Sequence, residues 1–142
     1  MRKEGSVSCL ARNKYGARKI TLLDGTTFDS NKEFTRWIEL QLLERAGKIS
    51  DLQRQVKYEL LPAVYETYSR YSDKTGKRLK DGKRIIEKEV AYIADFVYKD
   101  EQGQTVVEDV KGYRDPSSAG YAKFVLKRKM MLHFHGIKIR EV

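Results

Sequence analysis

Asp95, Asp109 and Lys111 are the residues of this chain whose types and spacing best suit chemistry. Asp95 interrupts the apolar run Tyr92-Ile93-Ala94-Asp95-Phe96-Val97, and Asp109 and Lys111 stand two residues apart at the end of a second run, Val106–Lys111. Side chains along a strand alternate faces, so Asp109 and Lys111 project the same way, and Glu108 projects the other way. A hairpin across Lys99–Gln104 brings Asp95 and Asp109 within reach of each other on its two arms. Two carboxylates beside a lysine suit a hard divalent cation such as Mg²⁺, which takes oxygen ligands at roughly 2.0–2.1 Å and usually only one or two carboxylates. A cation held there polarises a phosphate and lowers the pKa of an attacking water, while a neighbouring lysine orients that water or offsets charge on the phosphoryl oxygens. The chemistry such a set would suit is the cutting of a phosphodiester. Two plainer readings stand beside it: Asp95 as an edge-strand carboxylate in water, and Asp109–Lys111 as a surface pair worth ~0–1 kcal/mol. A one-residue slip in register would exchange Asp109 for Glu108 as the second acid.

The elements that must position these residues are marked by caps and periodicity. Ser30 is a good N-cap with Glu33 three residues on, and Gly47 closes the helix that Phe34, Trp37, Ile38, Leu42 and Ala46 imply, with Leu40 and Leu43 widening its stripe. Glu33 aligns with Trp37 and Leu40, so it either closes the capping box or faces the sheet as a further oxygen donor; spacing favours the cap. Lys19–Leu23 is read as a short strand turned back by Asp24-Gly25 into Thr27-Phe28. Val56–Tyr65 has strand character broken by Pro62. Glu66–Glu89, dense in Lys and Arg and punctuated by Gly76 and Gly82, is read as a solvated hairpin loop or mobile flap. Val90–Tyr98 and Thr105–Val110 form the central hairpin. Ser117 or Ser118 caps a second helix running to about His135, with Tyr121, Phe124, Val125, Met131 and Leu132 as its stripe; Gly136 ends it and Ile137–Val142 is a last strand. The whole is an α/β fold around a small mixed sheet.

Composition sets the partner. With 142 residues the chain is long enough for one domain with its own core, and its formal charge of +9 favours polyanions, nucleic acid first. No stretch approaches the ~20 apolar residues that span a bilayer, so the expectation is a cytoplasmic protein with no membrane partner. Cys9 is the single cysteine, which leaves no internal disulfide or cysteine-based zinc site, and residues 1–17 read as a basic N-terminal arm. Lys77, Arg78, Lys80, Lys83 and Arg84 in the flap, with Lys123 and Lys127 on the second helix, are the candidate nucleic-acid contacts; Tyr68 and Tyr71 are the candidate stacking residues. His133 and His135 sit two apart on a helix, off any shared face, and are read as a packing residue and a C-terminal cap.

Asp95, a hairpin's worth of residues, then Asp109-Val110-Lys111 resembles the D…(D/E)xK signature of the PD-(D/E)XK nuclease superfamily. Phe28-Asp29-Ser30-Asn31-Lys32-Glu33, Ile49-Ser50-Asp51-Leu52, Tyr92–Phe96 and Val107–Gly112, in that order, resemble a small phage and prophage branch of it. The resemblance spans roughly Phe28 to Val142. It implies a restriction-endonuclease-like core of helix, three antiparallel strands, helix and strand, in a mixed sheet flanked by helices, filling one nuclease-like domain over 18–142. It also implies Mg²⁺- or Mn²⁺-dependent DNA cleavage in the host cytoplasm. Asp95 and Asp109 would hold metal, Lys111 would assist the nucleophile, and Glu33 would be the helix-borne acid near the metal. Branched DNA such as a Holliday junction, cut by a homodimer, is the substrate that other members suggest. Two positions depart from the pattern: Ala94 stands where the motif has proline, and Asp109 where glutamate is usual. The competing expectation is a non-catalytic nucleic-acid-binding or inhibitor module on the same fold.

Overall fold

A computed structural model describes residues 19–112 and 114–142; the arm at 1–17 and Cys9 lie outside the described residues. A two-stranded ribbon, β1 (Ile20–Thr21) and β2 (Thr27–Phe28), precedes helix α1 (Asn31–Arg45). Then come the strands β3 (Ser50–Leu61), β4 (Val64–Tyr71), β5 (Arg78–Glu87), β6 (Val90–Lys99) and β7 (Thr105–Asp109), helix α2 (Ala119–His135) and strand β8 (Arg140–Glu141). One four-stranded sheet has the order β3-β6-β7-β8, while β4 and β5 pair only with each other. β6 and β7 are antiparallel and β7 and β8 parallel, so the sheet is mixed.

Local chemistry accounts for the element ends. Ser30 Oγ accepts from the Glu33 amide at 3.1 Å, and Gly47 takes φ +70 just past the helix, the left-handed geometry that glycine adopts without a Cβ penalty. The turn between β6 and β7 is closed by Asp100, whose Oδ1 accepts from the amides of Gln102 and Gln104, both at 2.9 Å. Gly136, in the left-handed region, ends α2 as expected, whereas Ser118 occupies its N-cap without a side-chain bond.

The described residues divide into two compact units, one holding residues up to Val56 with Ala94–Arg114 and Ile139–Val142, the other Lys57–Ile93 with Asp115–Lys138. In the first, Leu40, Ile49, Phe96 and Tyr98 form a buried cluster, with Trp37, Leu52, Val106 and Val110 against it. Trp37 stacks on Phe96 at 6.0 Å between ring centroids. In the second, Phe124 of α2 meets Tyr92 at 6.4 Å, and His135 packs on Tyr58 and shares a 2.7 Å hydrogen bond with the Glu59 carbonyl.

Several expectations are corrected. The stripe that α1 buries is Glu33 and Leu40 with Trp37 partly covered, while Ile38, Leu42 and Leu43 are exposed. The strand expected at Val56–Tyr65 is β3, which begins earlier at Ser50, stops before Pro62 and leaves Tyr65 to β4. The segment 66–89 is no loop: most of it is an antiparallel ribbon, whose cross-strand pairs satisfy the backbone that a solvated loop would leave to water. The last strand is shorter than Ile137–Val142 and pairs over Arg140–Glu141.

Candidate active site

Four segments of the first unit converge on one group of charges. β6 brings Asp95, the end of β7 brings Asp109 and then Lys111, the first turn of α1 brings Glu33, and β3 brings Arg54 and Gln55. The register Phe96↔Glu108, carried one pair further, sets Asp95 across from Asp109.

The two neighbouring acids of β7 have separate fates. Glu108 is wholly buried on the face that looks toward α1. Arg36 grips it with both Nε (2.9 Å) and a terminal nitrogen (2.8 Å), and the Tyr98 hydroxyl donates to it at 2.7 Å. Its oxygens are committed to that network. Burial raises the Tyr98 hydroxyl to a pKa of about 12, and its hydrogen bond to Glu108 adds to the shift. Asp109 emerges on the Asp95 face, 4 % exposed, with Lys111 Nζ 2.5 Å from its Oδ2. The second acid facing Asp95 is therefore Asp109.

The Asp95 carboxyl has its pKa raised to about 6. Burial is the main cause, and the charges of Asp109 and Glu33 push the same way; the hydrogen bond from the Val110 amide (2.8 Å) and the charge of Lys111 oppose them. Glu33 is 5 % exposed and serves two ends at once: its amide closes the Ser30 cap, while its Oε2 accepts from the Asp29 amide at 2.9 Å and its Oε1 faces Gln55. The capping box is modified, since the carboxylate reaches Asp29 rather than Ser30.

Gln55 and Arg54 belong to no motif, yet both reach Glu33. Neighbours on a regular strand point to opposite faces. Here Gln55 has φ +52, outside the strand region, and its side chain reaches the same acid although the burial of β3 goes on alternating through it. Gln55 Nε2 lies 3.5 Å from Glu33 Oε1 and 3.4 Å from Asp95 Oδ1, bridging the two acids. An Arg54 terminal nitrogen lies 3.6 Å from the same Glu33 oxygen and donates to the Thr27 carbonyl at 2.8 Å. The Arg54 guanidinium also sits 3.9 Å above the Phe28 ring, which holds it in place. The sequence signal for Arg54 is its place in the inward series Leu52, Arg54, Val56, Tyr58, Leu60. Gln55 has no such signal, because its orientation depends on a backbone angle.

The backbone under Lys111 is fixed by β8. The Lys111 amide donates to the Val142 carbonyl and the Val142 amide to the Asp109 carbonyl, both at 3.0 Å. Lys32 Nζ donates to the carbonyls of Lys111 and Val142, both at 2.9 Å.

The donors on this face are carboxylate oxygens without a thiol or imidazole, the set a hard cation takes. Asp95 is crowded by two further carboxylates, only partly offset by Lys111, and a divalent cation would relieve that negative charge. By donor chemistry these residues would suit Mg²⁺ or Mn²⁺, and Asp95 and Asp109 are the ones that would hold it. Among the described residues, no group of three or more His, Cys, Asp or Glu side chains is arranged to hold a metal by itself.

The remaining predicted contacts lie elsewhere in the chain. Lys77 is in the tip of the β4–β5 hairpin, Arg78, Lys80, Lys83 and Arg84 are on β5, and Lys123 and Lys127 are on α2, all in the second unit. No helix among the described residues is long and apolar enough to cross a membrane. No curated protein and no solved structure matches the chain. A family model described as "Protein of unknown function (DUF1064)" matches residues 12–140, nearly the full length, and the chain belongs to that family.

Proposed function

We propose that the protein is a metal-dependent endodeoxyribonuclease with a restriction-endonuclease-like core, of phage or mobile-element origin and active in the host cytoplasm. The observation that carries this reading is the meeting of Asp95, Asp109, Glu33 and Lys111 on one face of the first unit, with Asp95 held near a pKa of 6 by burial and by the other two acids. A surface ion pair needs no such crowding, and a domain that only binds DNA gains nothing from acids turned toward a phosphate. The charge of +9 supplies the attraction for a polyanion.

In this reading Asp95 and Asp109 hold Mg²⁺ or Mn²⁺, which when bound polarises the scissile phosphate and acidifies a water. Glu33 lies one Gln55 amide away from Asp95, where it would take a proton from an attacking water or order that water. Lys111, kept in place by Asp109, offsets charge on the phosphoryl oxygens as the water oxygen bonds to phosphorus and the ester oxygen leaves. Gln55 keeps Glu33 and Asp95 turned toward each other.

Labelled linear, nicked and four-way DNA incubated with Mg²⁺ or Mn²⁺ tests the reading. Cleavage by the wild type that falls at least ~100-fold in Asp109→Ala and Lys111→Ala supports it. Absence of cleavage by the wild type, with salt-sensitive DNA binding retained, would instead establish a binding module. Preference for four-way over linear DNA identifies a junction-cleaving enzyme, and sedimentation of the active species reports whether it is a homodimer.

A further inference from the structure

The β4–β5 ribbon pairs with no other strand and carries more side chains than its own fold requires. Every residue of β4 is exposed, and every residue of β5 except Gly82. From Arg70 to Lys83 there are six basic residues and two acidic ones. Arg84 is paired with Glu66 at 2.6 Å and Arg78 with Asp81 at 3.4 Å. Among the described residues Arg70, Lys74, Lys77, Lys80 and Lys83 have no acidic partner, so the outer half of the ribbon presents unneutralised positive charge.

Its shape is also specific. Tyr68 pairs across the strands with Gly82, and its ring lies so close over the glycine that a Cβ there would fall 2.5 Å from Tyr68 Cζ. The glycine lets the ring lie flat, which keeps the ribbon thin. A register shift between Tyr68 and Arg70, where β5 carries the extra residue, adds twist to a ribbon already free to coil. The tip is closed tightly: the Ser72 amide donates to the Lys77 carbonyl at 2.9 Å, and Gly76 has φ +63.

We infer that this ribbon is a DNA arm that lies in the major groove of a B-form duplex, its lysines on the flanking phosphates and the flat Tyr68 face toward the base edges. Two strands ~4.8 Å apart with their side chains fit a groove about 12 Å wide, and that groove is known to admit a two-stranded ribbon. Lys74, Lys77, Lys80 and Lys83 reach the phosphates on either side, and Tyr68 offers ring carbons to thymine methyls and a hydroxyl to phosphate. The occupant follows from charge: a second copy of this basic chain would be repelled by a tip that a polyanion attracts. The inference deepens the nuclease reading by naming its substrate contact, and depends on that reading only for the cutting of the bound duplex.

Binding is measured without metal, by fluorescence anisotropy on a DNA duplex of about two helical turns and on the RNA duplex of the same sequence, across a salt series. The expected result is salt-dependent DNA binding with RNA at least ~10-fold weaker, because the A-form major groove is too narrow for the ribbon. K74Q/K77Q/K80Q/K83Q should reduce affinity at low salt at least ~30-fold and flatten the slope of log K against log salt by about 2–4, since each lost phosphate contact removes ~0.9. Gly82→Ala, which tilts the Tyr68 ring off the ribbon while leaving its charge intact, should weaken binding about 3–10-fold with the slope unchanged, in the range of a lost apolar base contact. Circular dichroism and melting establish that each variant is folded; if the fourfold variant does not fold, Gly82→Ala and the DNA-to-RNA ratio still decide. Equal affinity for RNA, unchanged binding in both variants, or unchanged binding with loss of a dimer would each overturn the inference, the last by making a second copy the ribbon's partner. Ribbon-dependent binding with no cleavage of any DNA would keep the arm and remove the nuclease. Cleavage with ribbon-independent binding would do the reverse.

Discussion

The Asp95 carboxylate accepts a 2.8 Å hydrogen bond from the Val110 amide, the peptide that separates Asp109 from Lys111. One bond thus fixes the acid of β6 to the stretch of chain that carries the other acid and the lysine. Any movement of that stretch moves all three groups together, which is the rigidity a site with ångström-scale tolerances needs.

Asp95 should make the protein less stable as it ionises. Its folded pKa is raised from 3.8 to about 6, so between those values the folded chain keeps a proton that the unfolded chain has lost. Stability therefore falls as pH rises through this window, and the loss is complete above it. Asp95→Asn should raise unfolding free energy on the order of 2 kcal/mol at pH 8 and hardly change it at pH 4, measured by urea denaturation at both. Mn²⁺ affinity should run the opposite way, weakening as pH falls through about 6, because the metal needs the carboxylate. A destabilised Asp95→Asn at pH 8 would show that the buried charge is not a burden.

Arg36→Ala should unfold the protein far more readily than any change at the metal face. It leaves the wholly buried Glu108 without its 2.8–2.9 Å guanidinium partner. Breaking such a pair from one side costs about 3–5 kcal/mol. Arg36→Met with Glu108→Leu and Tyr98→Phe, which removes both charges and the hydroxyl that bonds Glu108, should recover most of that loss in the same denaturation experiment.

Gln55→Gly should separate stability from function. Gln55 holds φ +52, a conformation that costs a side-chain-bearing residue on the order of 1 kcal/mol or more and glycine almost nothing. The unfolding midpoint should stay level or rise, while Mn²⁺ affinity by calorimetry drops several-fold as Glu33 and Asp95 lose their bridge. A clear fall in stability together with unchanged metal binding would assign Gln55 to the fold alone.

Leu40→Ala tests the core beneath the site. Leu40 is fully buried against Ile49, Phe96 and Tyr98, and its truncation should cost about 2–5 kcal/mol. Phe96 adjoins Asp95 on β6, so metal affinity should fall with it.

Spacing in the sequence was enough to find the helix caps at Ser30, Gly47 and Gly136, the β6–β7 hairpin and the shared face of Asp109 and Lys111, because caps and strand alternation are local properties. It could not choose between Asp109 and Glu108, since that depends on which face meets Arg36 of α1, a contact between residues far apart in the chain. Arg54 and Gln55 escaped for a related reason: alternation is the rule that reads a strand, and Gln55 departs from it by a single dihedral angle. The exposure of Ile38 and Leu42 was hidden because periodicity shows where a helix is apolar, not how much of that face the rest of the chain covers. In the 66–89 segment the many cations and two glycines masked a β-ribbon, whose pairing is satisfied without burying anything.

The parallel pairing of β7 with β8 bears on when during folding this protein acquires its chemistry. Antiparallel β6 and β7 are joined by a short turn and can form early, but the Lys111 amide and the Asp109 carbonyl acquire their partners only when Val142 follows at the end of the chain, after α2. Glu33 and Gln55 must come from still more distant stretches upstream. Closing those long loops precedes any reward from the contacts they make. On the proposed nuclease reading, a nascent or half-folded chain would carry every acid of the site and yet be harmless to nearby DNA, and cutting would begin only as the last strand docks.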